Sequence, residues 1–376
     1  MNITEYFSLL FTDYTLGVIT LGTAVLGAVC GMLGSFSVLR RQSLLGDAIS
    51  HAALPGIALA FLLTGTKQTH FLLLGALISG LLGTFWIKSI VKKTRLKNDT
   101  ALGLILSLFF GFGMLLLTFI QKLPNANQAG LDKYLFGQAA TLMVQDVYVM
   151  IGVTGVSLFV LLLFWKELKL LLFDPDYTLT LGFNTRFLDI LITGFIVLAI
   201  VLGLQTVGVV LMSAMLLAPA AAARQWTNRL SVMIFLAAIF GAFSGVLGTA
   251  ISASQNNLST GPVIVLVAAG LVLLSFVFAP QRGLLARRVR FYRNRKELNL
   301  RKTLSVMYHI AQNHKDISHP HAIKILNNFH GYTRKTLNKL EEKNWVEIRG
   351  NQWSLTAKGY QEAENFYKPN EAIQDI

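Results

Sequence analysis

Charge is scarce in this chain. Only 14% of its 376 residues are Asp, Glu, Lys or Arg, while 53% are hydrophobic and the mean hydropathy is +0.55. Soluble domains run nearer about a quarter charged, so an ordinary soluble enzyme is excluded. Cysteine is almost missing too. Cys30 is the single one, which rules out an intrachain disulfide framework and a Cys-based zinc site. No G-x-x-x-x-G-K-[ST] phosphate loop is present, so the chain cannot hold ATP by that route. The first 15 residues carry Glu5 and Asp13 and no basic residue, the wrong flank for a cleavable signal peptide.

What charge there is falls unevenly. Residues 1–280 hold 15 Lys+Arg and 10 Asp+Glu, a net +5, whereas residues 281–376 hold 18 and 9, a net +9. Two physical classes of protein share one chain. Apolar runs long enough to cross a bilayer, about 17–25 residues each, recur at 17–39, 47–64, 71–91, 101–121, 147–165, 188–204, 206–223, 231–253 and 262–279. That predicts nine crossings, or eight if the sixth and seventh form one broken helix or a re-entrant pair, since little but Gln205-Thr206 divides them. Arg40-Arg41, the cluster Lys88 to Lys97, Lys166/Lys169/Arg186, Arg224/Arg229 and Arg282 onward occupy alternate loops, while Lys67, Lys122 and Lys133 are sparse in the others. Because basic loops stay cytoplasmic, this predicts an N-terminus outside and a C-terminus inside. Stripes of small residues, Gly27 and Gly31 in the first run and Ala237, Gly241 and Gly245 in the eighth, allow close helix approach. Packing within the chain is the expected use; a dimer contact is the alternative.

Ionisable groups inside hydrocarbon mark function by default. Asp47 and Asp189 are the acids within or at the edge of these runs. Asp189 reads as a solvated helix end. Asp47 differs, because His51 follows four residues later and shares its helix face. A carboxylate with an imidazole suits zinc, manganese or ferrous iron; the alternative is a polar pair that pins neighbouring helices. Pro55 lacks an N–H and so deprives the His51 carbonyl of its helical partner. Two ligands do not hold a divalent cation tightly, but a second copy of the chain about a twofold axis would supply four.

The run Leu39-Arg-Arg-Gln-Ser-Leu-Leu-Gly-Asp-Ala-Ile-Ser-His-Ala-Ala-Leu-Pro-Gly56 strongly resembles the hallmark of the permease subunits of bacterial zinc/manganese/iron ABC importers. Phe173-Asp-Pro-Asp-Tyr-Thr-Leu-Thr-Leu-Gly-Phe183 resembles that family's cytoplasmic loop that meets the ATPase. Gly208 to Arg224, with its Pro219-Ala stretch, is similar to a later family helix. The resemblance implies that Asp47 and His51 line the metal path. It also implies ABC ATPase subunits and an extracytoplasmic metal-binding protein as partners, and the bacterial inner membrane as the location. The residues of the loop support a short helix on their own terms. Asp174 is an N-cap, Pro175 stands at N1, Asp176 lies in the first turn and Gly182 ends it.

Beyond Pro280 the composition changes. Arg287 to Lys296 carries six cations, which predicts the cytoplasmic end of the last crossing against anionic membrane lipid. Helical patterns follow at 300–313, 319–329 and 333–343, then a hairpin of Trp345–Arg349 and Gln352–Thr356, and a last helix from Ala357. That order resembles a winged helix. Leu340 to Ile348 and Leu355 to Gly359 are similar to the DNA-binding domain of iron-dependent repressors. Arg334, Lys335 and Lys339 suit phosphates, but Glu341 and Glu342 oppose them, so protein contact is the expected use and DNA is not the expected partner. Five of the seven histidines, His309, His314, His319, His321 and His330, lie in this tail. His319-Pro320-His321, at the start of a helix, is a candidate second position for a regulatory metal, although no acid or cysteine adjoins it; a surface cluster is the simpler reading.

The fold expected is therefore an all-α polytopic membrane protein of about nine helices with a small α+β winged-helix-like cytoplasmic domain. Residues 1–285 form the transmembrane permease, 286–299 a basic linker, 300–368 the soluble domain and 369–376 a tail. The function expected is a homodimeric, non-enzymatic transport subunit for manganese, zinc or iron, with no covalent cofactor. A gradient-driven secondary transporter would need more buried acids than are present. A membrane-anchored regulator would not need nine crossings.

Overall fold

A computed structural model describes residues 13–66, 68–122, 137, 139, 142–254, 258–312, 319–328 and 334–374. Contacts divide the chain into two units, Met1–Leu284 and Leu285–Ile376. Among the described residues of the first unit, nine helices are long and apolar enough to cross a membrane. They are α1 (Tyr14–Leu39), α2 (Leu45–Thr64), α3 (Thr69–Lys93), α4 (Asn98–Gln121), α5 (Val144–Leu163), α8 (Thr185–Leu204), α9 (Val209–Trp226), α10 (Leu230–Ser254) and α11 (Thr260–Phe278). Two short helices, α6 (Trp165–Phe173) and α7 (Pro175–Thr180), lie between α5 and α8. The sixth and seventh runs are separate helices rather than one broken helix, and each is long and apolar enough to be a span of its own. Gly208, at φ +89°, turns the chain between them, a conformation that costs glycine little.

Several helices begin before their apolar run. Asp99 and Asp146 fall in the first turns of α4 and α5, so Asp47 and Asp189 are not the only acids on spanning helices. Carboxylates are favourable at that end because the free N–H groups and the helix dipole are positive there. Asp146 also accepts from its own cap, Met143 N, at 3.0 Å.

The two small-residue stripes meet each other. A Cβ on Gly27 would lie 2.1 Å from the Gly241 carbonyl oxygen, and one on Gly31 would lie 2.1 Å from that of Ala237. Thr23 Oγ1 reaches Thr249 Oγ1 at 3.0 Å across the same seam. These stripes are thus used within the chain, to close α1 on α10 where lipid gives no hydrophobic drive for association. The helix carrying Asp47 and His51 is the most enclosed. In its best apolar window 72% of residues are buried, against 22% for α4 and for α5, because α3, α4 and α9 pack around it.

The second unit has its own core, in which Leu300, Leu304, Met307, Leu326, Leu337, Leu340, Val346, Trp353 and Leu355 are buried. One helix, α12 (Leu284–Gln312), runs through both the basic segment 286–299 and the first helix of the tail. The segment expected as a helix at 319–329 is instead a two-residue strand, β1 (His321–Ala322), and a 3₁₀ turn, Ile323–Asn328. Pairing with the hairpin accounts for the difference, since β1 takes the free edge of β3. Helix α13 (Arg334–Glu342), strands β2 (Val346–Arg349) and β3 (Gln352–Leu355), and α14 (Ala357–Gln374) complete the unit. The sheet order is β1-β3-β2, antiparallel throughout, and Gly350 makes the hairpin turn at φ +63°.

Candidate metal path and coupling segment

Asp47 sits in the first turn of α2, and its Oδ1 lies 3.3 Å from His51 Nε2. Both are on one helix, so the pair does not itself pin two helices together. The imidazole packs edge-on against Phe110 of α4, with ring centroids 4.7 Å apart. Its other nitrogen, Nδ1, is buried and has no hydrogen-bond partner among the described residues. A buried polar atom left without a partner is costly. A carboxylate oxygen and an imidazole nitrogen on one helix face are donors of the kinds that divalent transition metals take. The donor chemistry therefore fits a divalent transition metal as cargo.

The neighbours of Pro55 are small. A Cβ on Gly113 of α4 would meet the Leu54 Cβ at 2.9 Å and the Pro55 Cδ at 3.2 Å. Ser79 of α3 donates to the Ala52 carbonyl at 2.6 Å, next to the carbonyl that Pro55 leaves without its helical donor. Neither Gly113 nor Ser79 stood out in the sequence; both lie in apolar runs with nothing to link them to α2.

No group of three or more His, Cys, Asp or Glu side chains capable of holding a metal occurs among the described residues. Asp47 and His51 are thus two donors with no third of these types beside them among the described residues. A cavity of about 540 Å³ is lined mainly by apolar side chains, Leu161, Trp165 and Phe235 among them, with the Thr154 and Ser231 hydroxyls and the Met32 thioether as its few polar groups, and neither Asp47 nor His51 lines it.

The segment between α6 and α8 folds as its residues require. Asp174 Oδ1 accepts from Tyr177 N at 2.9 Å, Pro175 opens α7 and Asp176 lies in its first turn. Gly182, at φ +85°, ends it, with its N–H donated to the Leu179 carbonyl at 3.0 Å. Thr178 is buried, while Tyr177, Leu179 and Leu181 are exposed. A rigid turn thus presents apolar side chains beside two carboxylates.

Asp189 is partly exposed, as expected near a helix end, but it is also ion-paired. Its Oδ1 pairs with Arg40 Nη1 and its Oδ2 with Lys88 Nζ, both at 2.6 Å. Burial pushes the Arg40 guanidinium below its usual value, and the Asp189 charge opposes that shift. In the second unit, His321 is buried and stacks on Trp353 with centroids 4.8 Å apart, and His319 lies 5.4 Å from His321. The histidine pair therefore belongs to a sheet edge rather than a helix start. His314 and His330 fall outside the described residues.

Residues 13–279 match the family model described as "ABC 3 transport family". The chain belongs to the ABC 3 transport family. It is 55% identical over 276 residues to the zinc transport system membrane protein TroC of Treponema pallidum, covering 73% of this chain and 93% of TroC. It is 45% identical over 340 residues to the manganese transport system membrane protein MntC of Bacillus subtilis, covering 90% of this chain and 78% of that one. A probable iron transport system membrane protein of Haemophilus influenzae is 36% identical over 278 residues, 73% of this chain and 93% of the other. Among solved structures, PsaBC from Streptococcus pneumoniae in complex with Fab matches with a TM-score of 0.67 and 35% identity, over 77% of this chain and all of that one.

Proposed function

We infer that this chain is the permease subunit of an ATP-binding-cassette importer whose cargo is a divalent transition metal: zinc, manganese or iron. The observation that carries this reading is the Asp47–His51 pair, 3.3 Å apart on the most enclosed helix of a family member. Relatives named for zinc, manganese and iron transport support the cargo class. Oxygen and imidazole donors are compatible with all three metals.

A second copy of the chain completes the ligand set, giving two carboxylates and two imidazoles on the axis between subunits. ATP is hydrolysed on separate ATPase subunits, which dock on α7 through Tyr177, Leu179, Leu181 and the carboxylates of Asp174 and Asp176. An extracytoplasmic binding protein delivers the ion. The N-terminus lies outside and the C-terminus in the cytoplasm, which puts α7 and the basic residues of α12 on the ATPase side. The second unit acts as a winged-helix-like regulatory or protein-contact module.

The test is uptake of radioactive manganese or zinc into vesicles holding the permease and its ATPase, with and without ATP. Intact protein is expected to require ATP, and Asp47→Asn and His51→Ala are expected to abolish uptake while leaving membrane assembly unchanged. ATP-independent uptake would overturn the ATP-driven reading, and normal transport by both variants would remove the site.

A further inference from the structure

We propose that Asp189 is the positioning residue that links motion of α7 to the Asp47–His51 pair. The proposal rests on the reading above as an ATP-driven permease. Asp189 lies in the second turn of α8, the helix that follows α7 after only four residues. Asn184 caps that helix, its Oδ1 accepting from Phe187 N at 3.1 Å, so α8 begins as a fixed lever next to α7.

One carboxylate ties this lever to both elements that flank α2. On one side is Arg40, in the turn that leads from α1 directly into α2. That turn is stiff: Gln42 N donates to the Ser37 carbonyl at 3.0 Å, and Ser37 Oγ donates to the Gln42 carbonyl at 2.8 Å. Asp47 follows five residues later. On the other side is Lys88 of α3, whose Nζ also donates to Thr193 Oγ1 of α8 at 3.2 Å. That hydroxyl in turn donates to the Asp189 carbonyl at 2.6 Å. Helix α3 also bears on α2, since a Cβ on Gly83 would lie 2.8 Å from the Ala52 Cβ. A displacement of α8 is therefore passed to α2 from two directions.

The junction is also incompletely satisfied. Arg40 Nη2 is buried and has no partner among the described residues. A guanidinium offers five N–H donors, so this one has capacity for a contact made in another arrangement of the same helices. A partly buried ion pair with a spare donor suits an element with two states, which is what energetic coupling between sites requires. Asp189 contacts neither cargo nor ATP; it acts through Arg40 and Lys88.

The experiment measures manganese and zinc taken up per ATP hydrolysed, in proteoliposomes of the full permease–ATPase complex, for wild type, Asp189→Asn, Asp189→Glu and Lys88→Gln. Asp189→Asn is expected to lower that ratio about tenfold, within the usual range of coupling between sites, while ATP hydrolysis persists. Asp189→Glu is expected to restore most of the ratio. Lys88→Gln, which removes one tie, is expected to fall between. A purely structural role would lower uptake and hydrolysis together and leave the ratio at the wild-type value, which overturns the proposal. If Asp189→Asn does not assemble, Lys88→Gln decides, and a wild-type ratio there overturns it equally. Wild-type complex that takes up neither metal with ATP would instead sink the permease reading, and this proposal with it.

Discussion

Gly56 of α2 and Gly75 of α3 touch backbone to backbone: a Cβ on Gly56 would lie 2.0 Å from the Gly75 carbonyl oxygen and 2.6 Å from the Ser79 Cβ. The contact holds the turn after Pro55 against α3, where Ser79 donates to Ala52. Gly56→Ala therefore forces two backbones apart. Overpacking of this kind costs about 1–3 kcal/mol, and loss of the Ser79 hydrogen bond adds about 1 kcal/mol. Gly103 of α4 is the control, because its Cβ would meet nothing within 4 Å. Thermal unfolding in detergent is expected to place Gly56→Ala well below wild type and Gly103→Ala at or slightly above it. Equal midpoints would mean that α2 and α3 separate freely.

How much of this was legible in advance depends on how local the cause is. Asp47 and His51 are four residues apart on one helix, so their proximity follows from helix geometry alone. The cap, proline and glycine of α7 are likewise a local grammar. The partners of Asp189 are not. Arg40 precedes it by 149 residues, and nothing in an apolar run announces which helix end it will meet. The same holds for Gly56 with Gly75 and for Gly113 with Pro55, because a glycine reads alike whether it faces lipid or another backbone. Near His321 the local pattern suggested a helix, and tertiary pairing with β3 overrode it. Strand propensity over two residues is too weak to compete in a sequence reading.

The docking role of α7 separates into shape and charge. A six-residue helix does not hold itself, since nucleation is costly, so the Asp174 cap matters for shape. Asp174→Asn keeps an acceptor and is expected to be nearly silent, whereas Asp174→Ala loses about 1 kcal/mol of cap energy. Asp176→Lys leaves the cap intact but reverses the presented charge. It is expected to abolish stimulation of the ATPase and uptake while manganese binding to the permease stays at the wild-type level. Survival of both stimulation and uptake in Asp176→Lys would move the docking surface elsewhere.

The last prediction concerns the second unit, whose core is independent of the membrane helices in composition but small. Trp353 is its largest fully buried side chain, and Leu304, Met307 and Leu340 are buried with it. Replacing a buried Trp by Ala costs about 3–5 kcal/mol, which is the whole stability of a domain this size, about 3–5 kcal/mol. Trp353→Ala should therefore unfold the tail and act like removal of everything after residue 296. The truncation cuts helix α12 just after its basic stretch and so retains Arg287 to Lys296. Both variants are expected to retain ATP-dependent uptake, because α1 to α11 with the Asp47–His51 pair lie before the cut. What should change is inhibition by cytosolic metal, if the imidazoles of His319 and His321, 5.4 Å apart, report its concentration. The measurement is uptake against internal manganese or zinc for intact, truncated and Trp353→Ala protein, with His319→Gln added to test the imidazole alone. Superimposable curves would remove the sensing role and leave a partner-binding module. Loss of all uptake at normal membrane levels would instead make the tail part of the transport machine, most simply through contact with the ATPase.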